Sequence, residues 1–133
     1  MLNLPQVEAI QFQLECVSAD TLRSQSINQL IEFGANIVGW MAFTGQQMAI
    51  ASKEYNEAKA KSYMGLEMSM KANGMKFTPM LAKDFINSKC SDELYAFELT
   101  ERVNRSCTHT LDFLRTAISA LKTEMLSSNY SNQ

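Results

Sequence analysis

TLRSQSINQLIEFGANIVGWMAFTGQQMAIASKEYNEAKAKSYMGLEMSMKA runs from Thr21 to Ala72 without a proline. Along it, apolar or small residues recur at positions 27, 30, 34, 37, 41, 45, 48, 52, 55, 59, 62 and 66, always three or four apart, with Ser52, Lys59 and Ser62 weakening the face late. That spacing keeps one face of an α-helix in register, so the stretch predicts a single helix of unusual length. Unbroken, it would reach ~75 Å at 1.5 Å per residue, longer than a globule of this size needs. The helix must therefore bend or build an oligomer. Gly34, Gly39 and Gly45 place a bend near Gly39 or Gly45, and glycines equally admit another helix closely. Ile37, Val38, Trp40, Met41 and Phe43 spread over more than one face, as on a helix covered on most sides.

Outward from this stretch the chain repeats the same grammar. Residues 4–17, LPQVEAIQFQLECV, form a short helix with Pro5 in the first turn and an apolar stripe of Val7, Ile10, Leu14 and Val17. Such an arm cannot bury its stripe alone and must dock on the long helix or on a neighbouring subunit. Ser18 to Asp20 supply cap residues for the next helix. Asn73-Gly74 ends the long helix, Met75-Lys76-Phe77 is a short loop, and Thr78-Pro79 open a helix to about Lys89 with Leu81 and Phe85 on one side. Ser91 caps the last helix, which has no Gly or Pro from residue 92 to 126. In it Cys107, Leu111, Leu114, Ile118, Leu121 and Met125 step by 4, 3, 4, 3 and 4, the spacing of a coiled-coil seam. This helix is expected to pack antiparallel on the long one, residues 73–91 forming the corner. The fold class is all-α: a long-helix hairpin with a short N-terminal helix and a helical corner, one domain over residues 1–126, assembling into a homo-oligomer. Residues 127–133 read as a polar disordered tail.

Composition agrees. The chain has 133 residues, 46% hydrophobic and 20% charged, with two prolines and five glycines, a globular composition poor in helix breakers. Net charge is −2, which argues against a protein that coats nucleic acid by bulk charge. The charge is unevenly spread: residues 1–50 carry −3, residues 51–90 carry +3 and the remainder carries −2. The middle third is the one electropositive footprint. Cys16, Cys90 and Cys107 are odd in number and far apart, which reads as reduced, buried thiols in a cytosolic protein. No signal peptide and no run of about 18 apolar residues is present, so the expectation is a cytoplasmic chain without a membrane partner.

Catalytic patterns are missing. His109 is the single histidine, and Cys107 lies two residues before it, on the opposite side of a helix. There is no phosphate-binding glycine loop and no metal-ligand spacing. The expectation is a non-enzymatic protein without cofactor or metal. The lysine-rich segment is the remaining candidate: Lys53, Lys59, Lys61 and Lys71 with Tyr55 and Tyr63. Tyr55, Lys59 and Tyr63 are each four apart, placing an ammonium between two rings where a phosphate and stacked bases would fit. The same residues also read as an ordinary solvated face, with Glu57 four before Lys61 and Glu67 four before Lys71. Lys59 and Lys61 project about 160° apart on a helix, too far for one groove on a single helix.

Taken together, these segments resemble the UvsY-type recombination mediators of tailed phages. Asp20-Thr21-Leu22 followed by a helix through Trp40 looks like that family's early helix, and residues 57–65, EAKAKSYMG, look like its basic A-K-A-[KR]…Y element. Leu111 to Lys122 look like its closing helix. The resemblance is loose and spans most of the chain, with the basic element displaced by about one helical turn relative to Trp40. It implies a small all-helical protein that assembles into rings, binds single-stranded DNA and helps load a RecA-like recombinase onto strands coated with single-strand-binding protein. By the same resemblance Lys59 and Lys61 are the DNA contacts, and a ring brings side chains of adjacent subunits to one strand. The expected host compartment is the bacterial cytoplasm.

Two readings of function follow. In the first, the Lys53–Lys71 helix contacts single-stranded DNA, with Tyr55 and Tyr63 as stacking partners and Trp40, Met41, Leu111, Leu114, Ile118 and Leu121 forming subunit or partner contacts. In the second, the chain is a small helical phage interaction protein, a host-factor inhibitor, anti-defence protein or virion component. It then acts through apolar faces, with Trp40, Met41 and Phe43 as anchors or, equally, as core.

Overall fold

Serine caps set where the first helices begin. The computed structural model of the chain describes residues 1–76 and 78–131, and among these it is entirely helical apart from short connections. Asn3 opens α1 (Leu4–Glu15), its side-chain oxygen accepting the N–H of Gln6. Ser18 and Thr21 exchange side-chain and backbone hydrogen bonds as a capping box on α2 (Ala19–Arg23). A second box, Ser26 with Gln29, opens α3 (Ile27–Ala72). The expected helix from Thr21 is therefore interrupted at residues 24–26. Ser26, with a glutamine three residues on, satisfies two orphan amides by starting afresh.

From Ile27 the long helix is as expected, 46 residues continuous across Gly39 and Gly45. Its end is a Schellman arrangement: Gly74 takes φ +67°, Met75 N–H donates to the Met70 carbonyl and Gly74 N–H to that of Lys71. After the corner come α4 (Pro79–Lys89) and α5 (Ser91–Ser131). Thr78 stands at the α4 start without a side-chain cap, and Cys90, not Ser91, is the junction, its carbonyl accepting the N–H of Leu94. The helix of α5 also includes residues 127–131, where a disordered tail is expected. No Gly or Pro stands in Ser127–Ser131 to stop it, and a polar composition alone does not end a helix that is already propagating. Phe77 and residues 132–133, the rest of the expected loop and tail, lie outside the described residues.

The hairpin is antiparallel. Residue numbers fall along α5 as they rise along α3: Leu111 lies against Gly34, Asn104 against Met41 and Thr44, and Phe97 against Tyr55. The buried positions repeat every seven residues, Leu30, Ile37, Thr44 and Ala51 on α3 and Thr100, Cys107 and Leu114 on α5. That is a coiled-coil repeat used within one chain. Several of these residues are small, which lets the helices approach. Thr44 and Thr100 are buried at no loss because each hydroxyl donates to a carbonyl one turn earlier in its own helix. The expected seam of Leu111, Leu114, Ile118 and Leu121 thus packs on the chain's own core, as do Trp40, Met41 and Phe43. Trp40 meets Phe33 edge-on at 6.0 Å.

Val7, Ile10 and Leu14 of α1 are buried, as their spacing predicts, and α1 lies mainly along α5 with a smaller contact on α3. Gln47, buried on α3, accepts the backbone N–H of Asn3 and ties the arm's start in place. Burying side chains such as Leu30 and Val7 contributes about 1.5–3 kcal/mol each, so truncating Leu30 would be among the most damaging single changes. A second, smaller core lies under α4, where Ala82, Ile86 and Cys90 pack on Tyr55, Ala58 and Leu66. Here the expected face is off by one position: Leu81 and Phe85 are exposed, and Ala82 and Ile86 point inward. Ala82 and Cys90 on either side of Ile86 are small, while Met80, Leu81 and Phe85 are left outside.

Candidate nucleic-acid interface

The lysine-rich half of α3 is the half that α4 covers. Residues 51–90, with their seven lysines, therefore come together at one end of the hairpin, where Asp92, Glu93 and Glu98 at the start of α5 also stand. Each lysine meets a different neighbourhood. Lys71 pairs with Glu67 at 3.0 Å, as the sequence spacing predicts. Glu57 turns back to Lys53 at 4.0 Å, and not forward to Lys61. Exposed pairs of this kind contribute about 0.3–0.5 kcal/mol, so they tune local charge more than stability.

Lys59 lies over the ring of Tyr55, 4.4 Å from its centroid. The Tyr55 ring in turn stacks on Phe97 of α5 at 6.3 Å and 9°, and its hydroxyl donates to Asn87 of α4 at 3.4 Å. Tyr55 thus joins three helices, and its ring is enclosed by the chain's own side chains. Tyr63, one turn beyond Lys59, is 42% exposed.

Lys61 faces the opposite flank. It borders an open groove of about 470 Å³ between α3 and α4, across which stand Phe85 and Lys89 of α4. Ser62, Gly65, Leu66 and Ser69 form the α3 wall. No carboxylate lines the groove, and neither Lys61 nor Lys89 has an ion pair among the described residues. The Lys89 ammonium sits 5.9 Å from the centroid of Phe85. The opposed directions of Lys59 and Lys61 thus correspond to two surfaces, one closed by Tyr55 and one open.

From the sequence Phe85 reads only as part of an apolar helix face and neither it nor Lys89 as a DNA contact, although Phe85-x-x-x-Lys89 repeats the aromatic–lysine spacing of Tyr55 and Lys59. Lys76 and Lys83 are exposed at the same end of the molecule.

Elsewhere the chemistry is sparse. His109 is exposed, while Cys107 faces the core, where burial pushes its thiol pKa up against a smaller opposing pull from a hydrogen bond with Thr44. Among the described residues there is no cluster of three metal-ligating side chains, and no helix is long and apolar enough to cross a membrane. Comparison of the chain with protein-family models, with curated proteins and with solved structures gives no match in any of the three.

Proposed function

We propose that this chain is a non-enzymatic protein that binds single-stranded DNA through the α3–α4 end of its hairpin and acts as a recombination mediator, helping to load a RecA-like recombinase on strands held by single-strand-binding protein. The observation that carries the DNA-binding part is the gathering of the lysines of residues 51–90 at one end, with Lys61 and Lys89 unneutralised across an open groove. The mediator role and its partners rest on the resemblance of residues 20–40, 57–65 and 111–122 to UvsY-type proteins.

Self-association belongs to the same reading. The ends of the hairpin carry apolar side chains that the chain does not cover, Met64 and Met68 on α3 and Met125 and Leu126 on α5. A homo-oligomer, a ring among the options, covers such surface and multiplies a modest positive patch into a continuous track for a strand.

The test is anisotropy of a labelled oligonucleotide at rising salt, with the assembly mass measured with and without the strand. Affinity that falls steeply with salt supports the proposal, since each neutralised phosphate releases counterions. A folded protein that leaves the oligonucleotide free at low salt overturns it.

A second reading has its own observation. Ile31 and Val38 of α3 are about half exposed beside a shallow apolar groove whose far side is Leu111 and Ile118. That groove supports the alternative of a small helical phage interaction protein, a host-factor inhibitor, anti-defence protein or virion component. It would then act through this flank and not through Trp40, Met41 and Phe43, which pack against the core. Absence of DNA binding together with a defined protein complex would favour it.

A further inference from the structure

We propose that the groove between α3 and α4 seats one nucleotide of a single strand, its phosphate held between Lys61 and Lys89 and its base laid on Phe85. The inference rests on the DNA-binding reading above and goes beyond it by naming the seat, the contribution of α4 and the stacked base.

Three observations carry it. The groove, about 470 Å³, falls within the range of ~300–1,000 Å³ in which small-molecule sites are built. Its lining offers groups for an anion and for a ring: two ammoniums and the hydroxyl of Ser69, together with the apolar side chains of Leu66 and Phe85. Gly65 gives the third. It stands inside α3, where glycine is the least favourable residue after proline, and a Cβ built on it would meet nothing within 4 Å. Among the described residues no side chain uses the room that Gly65 leaves. A flat base reaching Phe85 would use it.

The side chains can make the required move. Lys89 rests beside the Phe85 ring on a flexible four-carbon stem, so the ammonium can swing to a phosphate and vacate the ring for a base. A base in this position must be unstacked from its neighbours and unpaired, which selects a single strand over a duplex. Lys59, held over Tyr55 on the other flank, takes no part in the seat.

The experiment uses the full chain and a labelled oligo-dT, an abasic strand of equal length and a duplex, with circular dichroism on every variant. Lys89→Ala is expected to weaken oligo-dT binding about tenfold and to lower the salt slope by roughly 0.7, the loss of one phosphate contact on a single strand. Phe85→Ala should weaken it about five- to hundredfold, the range for losing one base–aromatic stack, and should leave the abasic strand unaffected. Gly65→Leu fills the groove with a residue that favours helix, so weaker binding at unchanged or higher thermal stability supports the seat. Salt-dependent oligo-dT binding that all three variants retain overturns the seat and leaves the DNA-binding reading in place. No binding by the unaltered protein removes the DNA-binding reading and the seat with it. Equal affinity for duplex and single strand, with the same response to Phe85→Ala, overturns the stacked base.

Discussion

Asn104 of α5 donates its side-chain amide to the backbone carbonyl of Met41 on α3 at 2.9 Å, and to the Thr44 hydroxyl at 3.1 Å. The Thr108 hydroxyl of α5 also donates to the Met41 sulfur at 3.3 Å, and Cys107 hydrogen-bonds with Thr44, so a small polar group joins the two long helices across the hairpin. Apolar contacts with a seven-residue repeat tolerate a slip by one repeat, whereas a donor that must meet one carbonyl does not. Asn104 therefore fixes the register that brings Phe97 onto Tyr55 and, through Tyr55, sets where α4 lies. Asn104→Ala is expected to lower stability by about 1–3 kcal/mol in urea unfolding. Asn104→Asp should be worse at neutral pH, because a carboxylate donates nothing and faces the Met41 carbonyl. It should partly recover below about pH 4, when the protonated acid can donate again.

Gly39 tests whether the exposed flank of α3 is solvated or covered in an assembly. A Cβ at this position has nothing within 4 Å in the chain. Gly39→Ala should raise helix stability by about 0.5–1 kcal/mol, with thermal unfolding shifted upward by a few degrees. If a second copy lies close against Gly39, the same methyl group lowers the assembly mass in light scattering. Rising stability with unchanged mass places the subunit contact elsewhere.

How much of this was legible beforehand follows from which residues carry the signal. The long helices were, because a scarcity of Gly and Pro needs no tertiary information to interpret. The break at residues 24–26 was written in Ser26-x-x-Gln29, but a continuous apolar period masks a cap placed inside it. The inward face of α3 was harder to read, because Thr44 and Gln47 are buried polar residues whose partners lie in the helix's own backbone, on Asn104 of α5 or in the N-terminal arm. A tally of apolar residues slides past them. In α4 the inward face is Ala82 and Ile86, one position on from the Leu81 and Phe85 face that a tally of the largest apolar side chains suggests. The lysines were found by composition. Their division into a closed and an open surface depends on α4, whose position no local pattern encodes.

Cys107 offers a check on the core through pH. Its folded pKa lies above the ordinary value of 9.0, mainly through burial, so the folded state holds the thiol proton more tightly than the unfolded chain. The associated stability is fully present below pH 9.0 and is lost as pH rises from there through the raised folded value. Cys107→Ala should therefore be less stable at neutral pH through the lost packing, and its stability should decline less steeply above pH 9 than that of the unaltered chain. A thiol reagent at neutral pH should modify Cys16, which is exposed, quickly, and reach Cys90 and Cys107 only on unfolding. Fast native reaction at two or three sites would contradict the buried placement.

Lys59 and Lys61, two residues apart and equal in charge, should behave differently toward DNA. Lys59 is held against Tyr55, whose ring is backed by Phe97, so its ammonium already has a partner to leave before it can meet a phosphate. Lys61 borders the open groove with no acidic neighbour lining it. Lys61→Ala should reduce oligonucleotide affinity several-fold and lower the salt slope, while Lys59→Ala should have the smaller effect on binding. Lys59→Ala should instead lower stability by about 0.5–1 kcal/mol, the size of a partly exposed cation–π contact. Tyr55→Leu separates the two roles further: it frees Lys59 and loosens the contact among α3, α4 and α5 at once. Melting should then fall by more than for Lys59→Ala, and DNA binding should fall with it if the position of α4 governs the open surface. Binding that survives Tyr55→Leu at a temperature where the variant is folded would assign the affinity to α3 alone.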